Sequence, residues 1–163
     1  TYGLPVIVTN CSNNFGPWQF PEKLIPLVTL KAIQKKPIPL YGDGSNIRDW
    51  LFVEDHIDAI ILLSEKGSLG QNYCIGGNNE KTNLEVAEKI CNYLDQVNPQ
   101  ITPHKSLIKF VKDRPGHDFR YAIDSTLMRE ELNWVPKHNF DEGLYKTVDW
   151  YLKNKDWLKK KST

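Results

Sequence analysis

Four side chains set far apart in the sequence, Lys23, Arg48, Arg114 and His117, carry donors suited to phosphate or sugar oxygens. If the fold gathers them, they would hold one dianionic ligand. Arg48 lies in Tyr41-Gly42-Asp43-Gly44-Ser45-Asn46-Ile47-Arg48-Asp49-Trp50, where two glycines permit a tight turn. Its guanidinium fork can place two parallel hydrogen bonds on a phosphate, although a structural Arg–carboxylate pair satisfies the same spacing. Arg114 and His117 lie in Asp113-Arg114-Pro115-Gly116-His117-Asp118-Phe119-Arg120, a loop fixed by proline and glycine. A solvated charged loop is the alternative there. The third cluster, Asn10-Cys11-Ser12-Asn13-Asn14-Phe15-Gly16-Pro17, follows an apolar run directly. Polar side chains at the carboxyl end of a parallel strand are where open α/β sheets bind ligands, whereas a plain Asn/Ser/Gly turn would merely end the strand.

Other chemistry is missing from the residues. Gly42 to Ile47 begins like a dinucleotide-binding glycine loop and fails at its last position, and no phosphate-binding P-loop, zinc-protease, serine-elbow or EF-hand pattern occurs. The four histidines are scattered, so no metal site is expected. Tyr151 and Lys155 have the Y-x-x-x-K spacing in which an ammonium lowers a tyrosine pKa for use as a base. They fall in a lysine-rich terminal helix with no glycine-rich loop before it, which favours a structural tyrosine.

The elements that would position these groups follow from pattern. Pro5 to Thr9 is an apolar run without alternation, as in a strand buried on both faces of a parallel sheet. Further strands are expected at Ile38–Tyr41, Leu51–Val53, Tyr73–Ile75, Ile108–Val111 and Tyr121–Ile123, the first at a sheet edge because of Pro37 and Pro39. Helices are expected over Leu24–Lys35, with Pro26 confined to the first turn, and over Val53–Glu65. Thr82-Asn83-Leu84-Glu85 is a capping box opening a third, Asp124 can cap a short one ending at Leu132, and Phe140, Leu144, Val148 and Leu152 stripe the last. Helix alternating with strand makes the class mixed α/β, with sheet neighbours for the first strand expected outside these residues.

The chain has 163 residues, 40% apolar and 25% charged, which suits one domain with a core. A net charge of +1 gives no reason to expect nucleic acid as a partner, and the apolar runs are too short to span a membrane. The lysines from Lys153 to Lys161 read as a solvated helix end fraying into a tail. Cys11, Cys74 and Cys91 are odd in number and widely spaced, as expected of buried thiols in a cytoplasmic protein. No signal peptide is visible, and the absence of an initiator methionine suggests a chain that begins within a longer protein.

Together the clusters resemble the extended short-chain dehydrogenase/reductases that act on nucleotide sugars, and among them the dTDP-glucose 4,6-dehydratases. The resemblance covers practically the whole chain. It is carried by Thr9 to Pro17, Phe20-Pro21-Glu22-Lys23-Leu24-Ile25-Pro26, Arg48-Asp49-Trp50-Leu51-Phe52-Val53-Glu54-Asp55-His56, Tyr73-Cys74-Ile75-Gly76-Gly77 and Asp113 to Asp118. The second and last strings are the more particular to that family, while Phe15 and Trp18 stand where it usually has tyrosine. The resemblance implies that Asn13 contacts the sugar nucleotide and Asn14 the cofactor NAD. Lys23 and Leu24 would lie along the substrate, Pro39, Leu40 and Tyr41 around the thymine, and Arg48, Arg114 and His117 on the diphosphate. Asn83 would stand close by, where unpaired helix amides would also favour an anion.

It implies equally what lies elsewhere. In such enzymes the sugar is oxidised at C4, water is eliminated across C5 and C6, and hydride returns to C6; the C4 ketone acidifies the C5 proton that must leave. The glycine-rich loop, the catalytic tyrosine and lysine, the Asp–Glu pair and the dimer helices would precede residue 1, and a further substrate-side tyrosine would follow Thr163. No catalytic residue is then expected in this chain, which reads as one unit, residues 1–163. It would be the carboxy-terminal substrate-binding lobe plus the last strands of a Rossmann-type sheet, taken from a homodimeric enzyme and inactive alone. A sister epimerase, decarboxylase or UDP- or GDP-sugar dehydratase is the second reading, and a stand-alone nucleotide-binding module the third.

Overall fold

A computed structural model describes residues 2–160; Thr1 and residues 161–163 lie outside the described residues. The lysine-rich segment expected to fray is helical as far as Lys160, because Leu158 is buried against Leu30 and Tyr151. The first apolar run yields β1 (Val8–Cys11), shifted toward the polar cluster, which pairs in parallel with β5 (Asn72–Ile75). Instead of being buried on both faces, Val8, Thr9 and Asn10 are exposed, because β5 is the one neighbour β1 has among the described residues. The polar stretch expected to be loop contains a second strand, β2 (Asn13–Phe15), in parallel with β4 (Ile47–Phe52). The chain changes partner at Ser12, from β5 on one side to β4 on the other. Asparagine is a poor strand former, so local propensity hides β2 and tertiary pairing makes it.

Strand β4 is longer than its apolar part suggested. It also pairs antiparallel with the unanticipated β6 (Glu80–Thr82) and in parallel with β8 (Arg120–Tyr121). β3 (Ile38–Tyr41) and β7 (Ile108–Val111) form a separate two-stranded parallel sheet, the edge setting that tolerates Pro39. Helices α1 (Leu24–Ile33) and α2 (Val53–Lys66) run as the pattern requires. In α3 (Asn83–Val97) the Thr82–Glu85 capping box forms in both directions. In α4 (Thr126–Leu132) the Asp124 carboxylate accepts from the Thr126 amide at 2.9 Å, one residue before the N-cap position itself. α5 (Phe140–Lys153) opens on a second capping box, Asn139 with Glu142, and a break at Asn154 leads into α6 (Lys155–Lys160).

The main core lies between α1, α3 and α5 and strands β2 to β4, built on Ile25, Val28, Leu40, Phe52, Ile90, Leu94 and Leu144. A second cluster joins Leu51, Leu63, Tyr73, Ile75 and Met128 beneath α2 and α4. The two are stitched by one polar joint. Asp49, 1% exposed, accepts the Gly77 amide at 2.9 Å and the Asn79 amide at 2.7 Å, and the Ser12 hydroxyl stands 3.3 Å from the Gly77 nitrogen. Gly77 is required sterically, since a Cβ there would sit 1.9 Å from the Trp50 carbonyl oxygen. A comparable joint holds the start of α5: Asp55, also 1% exposed, accepts the Lys137 and His138 amides.

Tyr151 is wholly buried and Lys155 begins the next helix, so the Y-x-x-x-K pair is structural here. Of the three cysteines, all unbridged, only Cys91 is fully buried; Cys11 and Cys74 are half-buried because their strands lie at the open side of the β1–β5 pair. No helix among the described residues is long and apolar enough to cross a membrane.

Two outcomes are expected. Replacing Asp49 by alanine strands two buried amides and should lower unfolding free energy by about 3 kcal/mol in urea titrations with an unchanged m-value; a loss below about 0.5 kcal/mol, the range of an ordinary surface substitution, would show that the joint is dispensable. Burial pushes the Cys91 thiol up to about 12. Alkylation at pH 8 should therefore modify Cys11 and Cys74 and spare Cys91 until denaturant is added, as counted by intact-mass spectrometry.

Candidate functional site

The loop clusters meet around the amino-terminal end of β4. Arg48 is 8% exposed, and its guanidinium donates to the carbonyls of Ile47 at 2.6 Å and Asp118 at 2.9 Å. Both bonds go to backbone oxygens, so Arg48 is not the Arg–carboxylate pair considered from spacing. Burial depresses its pKa from the ordinary arginine value; the charge of Asp118 opposes that, and the like charge of Arg114 adds to it. The Arg114 side chain itself makes no hydrogen bond among the described residues.

Around this pair the polar side chains divide into those that build and those left uncommitted. His117 is held at 2.7 Å by Asp113, whose carboxyl lies below the usual carboxylate range, chiefly through that hydrogen bond. The His117 ring meets Tyr41 edge-on, with centroids 6.2 Å apart. The loop is drawn onto β3 by the Gly42 amide, which donates to the Val111 carbonyl, and Gly42 (φ 59°) and Gly44 (φ 77°) take left-handed conformations there. Asn46, buried, donates to the Asp118 carbonyl and accepts the Asn83 amide, tying α3 to Arg48. The side chains of Asn13, Asn83, Arg114 and Tyr41 make no hydrogen bond among the described residues, so their donors remain available.

Three expectations are corrected. The start of α3 offers no free amides: Asn83 donates to Asn46, Leu84 to Gly44 and Glu85 to Thr82. Any anion near Asn83 would have to use its side chain. Leu40 is 2% exposed and lies in the main core, because strand alternation turns it away from the side on which Pro39 is half-buried and Tyr41 exposed. Lys23 is paired with Glu22 at 3.0 Å, both exposed, and has no contact with Arg48, Arg114 or His117 among the described residues. Leu24 is half-buried against the main core at the start of α1.

On the β2 side, Asn13 lies opposite Trp50 in register, two residues along the strand from Arg48. Asn14 spends its amide nitrogen on Cys11 Sγ (3.1 Å) and the Ser12 carbonyl (3.2 Å), which leaves Asn14 Oδ1 buried and without a partner. A buried acceptor of this kind suits a ligand N–H or O–H. Sequence reasoning missed Ser12, Gln19, Asn46 and Asp49. All four act through the backbone, which no side-chain spacing announces; the Gly76-Gly77 pair was the sole hint of a close approach.

Similar proteins are known. A dTDP-glucose 4,6-dehydratase of Neisseria meningitidis serogroup B is 55% identical over 161 residues, covering 96% of this chain and 45% of that protein. The crystal structure of dTDP-glucose 4,6-dehydratase from Bacillus anthracis in complex with NAD has 52% identity and a TM-score of 0.89, covering 98% of this chain and 49% of that one. The Streptomyces venezuelae dTDP-glucose 4,6-dehydratase with NAD and TYD bound has 42% identity and a TM-score of 0.87, covering 96% and 47%. The chain therefore spans less than half the length of the relatives it matches. The family model described as GDP-mannose 4,6 dehydratase matches residues 1–147, and the chain, with its parallel strands and gathered arginines, belongs to that family.

Proposed function

We propose that this chain is the nucleotide-sugar-binding side of an NAD-dependent dTDP-glucose 4,6-dehydratase, a hydro-lyase forming dTDP-4-dehydro-6-deoxyglucose and water. The observation that carries the reading is the buried Arg48, bonded to the Ile47 and Asp118 carbonyls and to no carboxylate, with the Asp118 it holds in the same short loop as Arg114 and His117. In this assignment Arg48, Arg114 and His117 hold the diphosphate, and the Asn83 side chain lies beside them. Pro39 and Tyr41 flank the base, with Leu40 shaping that wall from within the core. Asn13, Lys23 and Leu24 follow the sugar. Lys23 would exchange Glu22 for the ligand, a small cost for an exposed pair.

Asn14 fits the cofactor, because its orphaned Oδ1 would accept a hydrogen bond from it. When bound, NAD supplies the hydride acceptor and donor. In this reading the residues of this chain bind and orient, none is assigned the C5 proton or the departing water, and the 163 residues alone are expected to be inactive. The natural-length enzyme is read as a cytoplasmic homodimer, the compartment agreeing with three unbridged thiols. Residues 1–163 act in it as one substrate-binding unit.

The test uses the natural-length protein with NAD and dTDP-glucose, followed by mass spectrometry for loss of water from the sugar. The wild type should turn over. Arg48→Ala should lower kcat/KM by roughly 10- to 150-fold, the worth of hydrogen bonds to a charged group. Equal competition by dTDP, UDP and GDP would instead favour a sister nucleotide-sugar enzyme. Turnover by residues 1–163 alone would overturn the assignment.

A further inference from the structure

We infer that Tyr151, from α5, is a positioning residue for the candidate site: through Gln19 it fixes the loop joining the Asn13–Asn14 strand to Lys23 and Leu24. The Tyr151 hydroxyl donates to the Gln19 carbonyl at 2.9 Å and lies 3.3 Å from the Gly16 carbonyl. The Gln19 side-chain amide in turn donates to the Asn14 carbonyl at 2.7 Å. One buried hydroxyl therefore reaches β2 by way of a single side chain. Beyond the loop, the Lys23 amide closes a turn on Phe20 and α1 begins.

The loop needs such a clamp, because it is not a relaxed turn. Trp18 holds a left-handed φ of 67°, costly for a residue with a Cβ. Gly16 lies so close to α2 that a Cβ would stand 2.3 Å from a methyl carbon of Val53. α5 grips the loop a second time, where the Trp18 ring packs on Trp150 with centroids 4.7 Å apart. Tyr151 is 0% exposed, and burial pushes its pKa well above the ordinary tyrosine value, so it stays a neutral donor. The Y-x-x-x-K tyrosine thus has a task, and the task is geometric.

Tyr151→Phe keeps the ring and its packing and removes only the donor. In the natural-length protein, amide exchange across residues 14–23 should quicken by about tenfold, the worth of one hydrogen bond, while α3 amides stay unchanged. The dissociation constant for dTDP should rise by about 5- to 10-fold. Gln19→Met should give a similar loss of affinity, and the double variant no more than the larger single loss, since both act through one connection. Exchange and affinity within twofold of wild type would overturn the inference. So would faster exchange spread evenly over the chain, which marks a merely structural role, or fully additive losses. The affinity arm rests on the nucleotide-binding reading above and the exchange arm does not. A protein that fails to bind dTDP at all would therefore sink that reading, and the exchange pattern would still decide whether Tyr151 holds the loop.

Discussion

The arrangement depends on one buried carboxylate. Asp49 follows Arg48 in β4 and faces the other way, into the seam where the Gly77 and Asn79 amides meet it. A carboxylate this dry is tolerable only if its oxygens are bonded, and backbone amides do that without spending another charge. Those bonds fix the β5–β6 connection against β4, and the missing side chain of Gly77 lets the backbone lie on the Trp50 carbonyl. Ser12 joins from the third side, at the residue where the chain leaves β5 for β4. Strand alternation then ensures that when Asp49 points inward, Arg48 points toward the loops. The charge proposed to recognise ligand and the charge that holds the fold are adjacent residues on opposite faces.

The site is assembled from distant segments and tied together by hydrogen bonds. Arg48 is anchored by two carbonyls, and His117 is turned by Asp113. Asn46 bridges the loop before α3 to the carbonyl of Asp118. Each anchor leaves a donor unspent, on Arg114, Asn83, Asn13 or Tyr41. Preorganised donors lower the ordering cost of binding.

Much of the helical frame was legible in the residues. α1, α2, α3 and α5 each carry an apolar stripe of helical period or a cap, and β3, β5 and β7 are apolar enough to stand out. β2 and β6 were not legible: Asn13-Asn14 and Glu80-Lys81 have neither apolar alternation nor propensity, and pairing with β4 alone makes them strands. In the site, residue types pointed to Arg48, Arg114 and His117, and the bond from Arg48 to the Asp118 carbonyl ties β4 to the loop that carries the other two. They did not anticipate the burial of Leu40, whose direction follows from the pleat, or the pairing of Lys23 with its own neighbour. The α3 amides were credited to a ligand when Asn46, Gly44 and Thr82 already accept them. Spacing reports which groups are available and not which have been spent inside the fold.

If the gathered arginines bind a diphosphate, affinity should reside in the phosphates and not in the nucleoside. Calorimetric titration of the natural-length protein with dTDP, dTMP and thymidine at one ionic strength measures this directly. With two charged groups contributing about 1.5–3 kcal/mol each, dTDP should bind at least about 100-fold more tightly than thymidine, with dTMP between them. Equal affinity for dTDP and thymidine would contradict the account, because Arg48 and Arg114 would then contribute nothing to binding.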